Sequence, residues 1–328
     1  MNKFSGLALG LVLATGMATA QEIPYWKDVQ TTGVNAETRR TEVIYYADRA
    51  DALSKGFRES ENYLSLNGTW QFKYFDDHRE MEKFSGGDWD SIRVPGNWEV
   101  QGWGIPIYTN IPYDFCPADP VPGVLPDVIP GALYHRSFTV PASWAGREVY
   151  LNLCGSKSGT YVYVNGQEAG YCEDSKDLAR FRITDALNAG ENDLVLKVYR
   201  YTQASWLEDQ DFWRISGEER DVYLSSEVKD SGFDFSVVST LTEDLGTGIF
   251  RLKLRASAPT ELSYALLDKD GSEISRAVIP AMKAPNDMYP QWTRVVLKGS
   301  AGKGCRVVID PDHELFEVTR INNEVVID

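Results

Sequence analysis

A chain of 328 residues has room for one large or two ordinary domains, each able to bury its own core. Its formal charge of −15 argues against nucleic acid or an anionic membrane as partner and leaves a neutral ligand open. The four cysteines, Cys116, Cys154, Cys172 and Cys305, form no CxxC pair and have no His cluster beside them, which argues against zinc.

The first twenty residues read as a secretory signal: Lys3, an apolar run from Leu7 to Leu13, and the small-residue site Ala18-Thr19-Ala20 before Gln21. The run is far shorter than the roughly 20 apolar residues that cross a bilayer. A mature protein beginning at Gln21, in the periplasm or outside the cell, is therefore expected, with charge −16 once Lys3 is lost. In that oxidising compartment a Cys154–Cys172 disulfide is conceivable, with buried free thiols as the preferred reading.

Residues 21–62 are polar and weakly patterned, an arm with room for a helical turn or two between Glu42 and Leu53. From there the period is two. Trp70, Phe72 and Tyr74 alternate with Thr69, Gln71 and Lys73, the pattern of a half-buried strand. Between Gly102 and Pro130 seven prolines follow Trp103, which predicts a long ordered loop instead of a strand, since proline donates nothing to a ladder. Such loops in compact domains are commonly functional.

Glu148–Leu153 alternates again, and Tyr161–Val164 runs into Asn165-Gly166, the dipeptide of a two-residue hairpin turn in which both central residues need positive φ. Asn192–Arg200 and Asp221–Leu224 give two more strands. Many short strands without a long amphipathic helix predict a sandwich of two sheets over residues 63–228. Past Lys229, Phe250, Leu252 and Leu254 alternate with basic residues, and a strand over Glu261–Leu267 meets a turn at Asp268–Gly271. Residues 229–328 have the size of an immunoglobulin-like sandwich.

The densest polar segment is Glu208-Asp209-Gln210-Asp211, flanked by Trp206, Phe212 and Trp213. A solvated acidic loop is the ordinary reading in a chain with 48 acidic residues; the large rings beside these carboxylates argue for a partly buried wall. Asp209 and Asp211 do not form a glycosidase pair. Residues two apart on a strand point the same way, whereas the two acids of such an enzyme flank the scissile bond from different sides.

The ordered run of Leu66-Asn67-Gly68-Thr69-Trp70, Val94-Pro95-Gly96-Asn97-Trp98-Glu99, Pro106-Ile107-Tyr108-Thr109-Asn110, Tyr161-Val162-Tyr163-Val164-Asn165-Gly166 and Glu208 to Gly217 resembles the N-terminal region of glycoside hydrolase family two, and within it the β-galactosidases. The resemblance covers about Trp26 to Leu224. It implies a jelly-roll β-sandwich followed by a smaller immunoglobulin-like one. It places Asn110 and Asp211 against galactose hydroxyls, with Asp211 also holding a sodium ion whose other ligands come from a (β/α)₈ barrel. The departure is at Gly217, after which the family carries an apolar residue and an aromatic where this chain has Glu218-Glu219.

The family's acid and nucleophile lie in that barrel, which needs about 250 residues; 100 remain past residue 228. The expectation is therefore a carbohydrate-binding portion of a β-galactosidase-like enzyme, inactive alone, with weak affinity for galactosides. A free-standing secreted carbohydrate-binding protein and a subunit docking on a separately encoded barrel chain are the alternatives.

Overall fold

The computed structural model describes residues 23–39, 42–110, 113–116, 118–208 and 210–229, and beyond them Ser272 and the strands of the second part. The expected signal segment, Asp209 and the turn at Asp268–Gly271 lie outside the described residues.

In chain order the first part is built from β1 (Gly33–Val34), α1 (Arg49–Ser54), β2 (Tyr63–Ser65), β3 (Gly68–Phe75), α2 (His78–Met81), β4 (Asp90–Val94), β5 (Ile107–Thr109), β6 (Gly131–Thr139), β7 (Glu148–Leu153) and β8 (Ser156–Lys157). It continues through β9 (Gly159–Val164), β10 (Gln167–Cys172), β11 (Ala179–Arg182), β12 (Glu191–Tyr199), α3 (Ser205–Glu208), β13 (Phe212–Arg214), β14 (Gly217–Glu218) and β15 (Val222–Glu227). Seven of these strands form one antiparallel sheet in the order β1-β10-β9-β12-β6-β3-β4, and four form a second in the order β11-β7-β15-β2. Two short ribbons, β5 with β13 and β8 with β14, lie outside both sheets. The protein is all-β in its architecture, with helices of six residues or fewer among the described residues, and no helix among them is long and apolar enough to cross a membrane.

Alternation explains how one sheet supports two apolar layers. On β6, Ala132 and Tyr134 face the core shared with the second sheet, while Leu133 faces outward into a separate cluster with Trp26, Tyr161, Tyr171 and Tyr199. On β9 and β12 the inward set is Val162, Val164, Leu194, Leu196 and Val198. Trp70 and Phe72 on β3 are buried in the inner core, with Tyr74 packed against it, as their period-two spacing predicts.

The outer layer gives the N-terminal arm its role. Trp26 is fully buried, stacked 5.1 Å from Tyr199, and β1 extends the large sheet by pairing with β10. The predicted helical turn appears as α1, with Asp48 capping it by accepting from the Asp51 amide at 2.9 Å. The Asn165-Gly166 turn joins β9 to β10 with φ of 50° and 76°, the left-handed pair that a type I′ hairpin requires. Cys154 and Cys172 are buried free thiols.

The second part shows a three-stranded antiparallel sheet made of β16 (Phe233–Leu241), β17 (Thr247–Ala256) and β20 (Gln291–Lys298). A four-stranded one is made of β18 (Leu262–Leu267), β19 (Glu273–Ile279), β21 (Cys305–Ile309) and β22 (Glu324–Ile327). Ala265 and Leu266 on β18 are buried.

Candidate functional site

The proline-rich segment is not wholly without strands, contrary to the expectation for it. Ile107–Thr109 forms β5 and pairs antiparallel with β13 in the register Phe212↔Thr109, Trp213↔Tyr108 and Arg214↔Ile107. Prolines at 106 and 112 bracket this short strand and keep it off the main sheets. Asn110 directly follows and Asp211 directly precedes the paired residues Thr109 and Phe212. The two residues singled out from the sequence are thereby brought to one end of one ribbon.

The alternation of side chains divides the ribbon into two faces. Tyr108, Asn110, Asp211 and Trp213 share the exposed face, whereas Ile107, Thr109 and Phe212 are half-buried and Arg214 is buried on the other. The Tyr108 hydroxyl donates to Asp211 Oδ1 at 2.7 Å, and its ring lies 5.6 Å from that of Trp213. Beneath, Lys157 Nζ and Arg214 Cζ sit 4.7 and 5.0 Å from the Phe212 ring centroid, two cations holding one ring. Burial pushes the Lys157 ammonium below its ordinary range.

Arginines tie the ribbon to the sandwich. Arg200, directly after β12, donates from Nη2 to the carbonyls of Ile105 and Arg214 at 3.0 and 3.1 Å, and its Nη1 lies 3.6 Å from the Glu99 carboxylate. Glu99 Oε2 in turn accepts from the Ser216 amide at 2.7 Å. Arg214 Nη1 donates to the carbonyls of Gln210 and, at 2.7 Å, Phe212, while its Nε lies 3.6 Å from Asp114. Glu208, first of the acidic run, accepts from Ser175 through both amide (2.8 Å) and hydroxyl (2.5 Å). Glu208 and Asp211 thus serve different neighbours.

Rings hold the described part of the long loop. Tyr113 and Phe115 lie 4.6 and 4.9 Å from Trp206, and the Tyr113 hydroxyl donates to the Trp206 carbonyl at 3.2 Å. A cavity of about 20 Å³, room for a water molecule, remains behind the ribbon among Asp114, Lys157, Arg200, Glu208 and Arg214.

The Glu218-Glu219 departure has a definite accommodation. Glu218 is fully buried on β14 and accepts from Ser156 Oγ at 2.6 Å with no cation against it among the described residues, and burial pushes its carboxyl up to about 8. Glu219 instead bridges Asn97, which donates to it at 3.0 Å, and Lys176. Glu173, likewise buried, accepts from the Tyr171 hydroxyl at 2.8 Å and is pushed up to about 7 by desolvation.

Any sodium site at Asp211 is incomplete within the described residues. Hard cations take six or more oxygens, Tyr108 already occupies one oxygen of this carboxylate, and no group of three metal-binding side chains occurs among the described residues. Sequence reasoning missed Tyr108, Arg200 and Lys157, although Tyr108 stands two residues before Asn110, the spacing of one strand face.

Residues 63–227 match the family model described as "Glycosyl hydrolases family 2, sugar binding domain". Among curated proteins, a β-galactosidase of Priestia megaterium is 38% identical over 70% of this chain and 23% of its own length. One of Halalkalibacterium halodurans is 33% identical over 80% of this chain and 27% of its own. The chain thus spans about a quarter of the length of these relatives. Among solved structures, the β-glucuronidase of Bifidobacterium dentium aligns with a TM-score of 0.54 at 15% identity, covering 77% of this chain and 45% of that one, a likeness of fold alone. With half of its length matched by the family's sugar-binding domain and with β-galactosidases as its curated relatives, this chain belongs to the glycosyl hydrolases family 2.

Proposed function

We propose that the chain is the sugar-facing portion of a β-galactosidase-type enzyme and that Asn110 and Asp211 hold the hydroxyls of a galactosyl unit. The observation that carries this reading is the β5–β13 ribbon, at one end of which Asn110 and Asp211 adjoin the paired Thr109 and Phe212 and are both exposed. A carboxylate accepts from sugar hydroxyls and an amide both donates and accepts, so the pair addresses a neutral polyol without needing a counter-charge.

Domain 63–228 binds and domain 229–328 supports; the carboxylate pair that cleaves the glycosidic bond belongs to a barrel in the longer family members. Cleavage needs an acid on the leaving oxygen and a second carboxylate across the bond from it. Among the described residues the ribbon's exposed face supplies one carboxylate, Asp211, already shared with Tyr108. The 328 residues taken alone therefore bind galactosides at about millimolar strength, roughly −4 kcal/mol, without hydrolysing them. Any sodium at Asp211 depends on ligands from that barrel. The chain is exported, with cleavage after Ala20, which the intact mass of the mature protein checks: retention of residues 1–20 contradicts export.

Saturation-transfer NMR with galactose on the wild-type chain and on Asp211→Ala tests the binding site. Millimolar binding lost in the variant supports the reading, and no binding by the wild type sinks it. Micromolar binding abolished by the variant would instead identify a free-standing carbohydrate-binding protein. Turnover of an aryl β-galactoside that depends on Asp211 would overturn the separation of binding from cleavage.

A further inference from the structure

The ribbon exposes more than Asn110 and Asp211. Tyr108 and Trp213 stand directly opposite each other on the same face, 56% and 54% exposed, with their rings inclined at 55°. Large rings left this open at the end of a two-stranded ribbon contribute little to the core, because the ribbon is anchored from its other face by Phe212 and Arg214. The inclined pair makes a shallow trough whose floor is aromatic and whose end is Asp211. Trp213 and Asp211, two residues apart, are separated by roughly 7 Å along the backbone, so that they can meet neighbouring parts of one ligand.

We infer that Trp213, with Tyr108 as its side wall, is a stacking platform for a second sugar unit, next to the unit held by Asn110 and Asp211, so that the ribbon recognises a disaccharide better than a single galactose. This rests on the sugar-binding reading above. Three features decide the chemistry of the occupant. The apolar faces of a pyranose suit an open indole, which offers flat contact area at small cost in side-chain freedom. Among the described residues the charge on this face is the carboxylate of Asp211, in a chain of net charge −15, which disfavours a phosphorylated or acidic ligand. And Tyr108 spans both functions: its ring borders Trp213 while its hydroxyl orients the Asp211 carboxylate, leaving Oδ2 for the sugar. Tyr108 is thus a positioning residue for one unit and a wall for the other.

The experiment compares galactose with lactose on the whole chain by NMR titration, in wild type, Trp213→Ala, Trp213→Phe, Tyr108→Phe and Asp211→Ala. An aromatic contact of this kind makes lactose bind about fivefold more tightly than galactose. Trp213→Ala should bring lactose down to the level of galactose and leave galactose unchanged, while Trp213→Phe keeps most of the difference. Tyr108→Phe should weaken both sugars together, by releasing the carboxylate. Asp211→Ala should abolish both. If Trp213→Ala leaves the lactose-to-galactose ratio intact, or weakens both sugars equally, the platform is wrong while the Asn110–Asp211 reading stands. If the wild type binds neither sugar, the parent reading fails and the platform with it. A thermal midpoint for Trp213→Ala equal to wild type separates lost contact from lost fold.

Discussion

Phe72, Leu151, Phe181 and Val162 are enclosed between the two sheets and ask nothing of their neighbours beyond shape. Glu99, Arg200, Arg214 and Glu218 are nearly as enclosed beside the ribbon, yet each depends on named partners for its polar atoms. The difference is one of tolerance. An apolar core accepts any residue of similar volume at modest cost, whereas a buried polar seam penalises the loss of a single partner, because the group left behind keeps its full desolvation cost. Placing the candidate site on the seam's outer surface holds Asp211 and Asn110 in register without drawing them into the core.

The comparison is tested most severely by Phe72→Ala, which removes a fully buried ring from the centre of the sandwich. It should cost about 3–5 kcal/mol of unfolding free energy, read from urea denaturation. A loss below about 1 kcal/mol would mean that the inner core does not carry the fold.

The seam is sharpened next, through pH. Because burial raises Glu218 to about 8 and Glu173 to about 7 in the folded chain, the folded state holds these protons more tightly than the unfolded one. Their stabilities are then fully present below the ordinary carboxylate range, decline as pH rises through it, and level off above the folded values. Glu218→Gln keeps the shape and removes the titration. Its stability should fall less between about pH 5 and pH 8, by on the order of 3 kcal/mol, the remaining slope including Glu173 and Glu99, both raised by burial. Parallel curves for variant and wild type in denaturant melts at several pH values would show that Glu218 ionises without cost.

The smallest effect belongs to the ribbon's outer face. Asp211→Asn changes an exposed carboxylate and should alter stability by less than about 0.5 kcal/mol, even as it removes sugar binding. A large loss by thermal melting would make the Tyr108–Asp211 contact structural instead.

Legibility followed the same division. Strands β3 and β7 are readable because each alternates with period two, and the β9–β10 turn because only residues tolerant of positive φ suit it. Strand β5 was not, since three residues between prolines carry too short a pattern, and only its partner in β13, more than a hundred residues later, makes it a strand. The acidic run was legible as a place but not as an arrangement. Glu208 turns to Ser175 and Asp211 to Tyr108, partners 33 and 103 residues away.

From its residues alone the chain specifies an all-β architecture, the inward set of each alternating strand, and membership in a sugar-binding family through short ordered motifs. Alternation and turn chemistry are local, and a reader of neighbouring residues recovers them. Only the tertiary structure decides that Tyr108, Asn110, Asp211 and Trp213 share one face. It also decides that Glu218 is enclosed with no cation against it among the described residues and that Arg200 and Arg214 tie the ribbon to the sandwich. These are contacts between segments far apart in the chain. Their energies depend on burial and on partner geometry, which come into being when the sheets close.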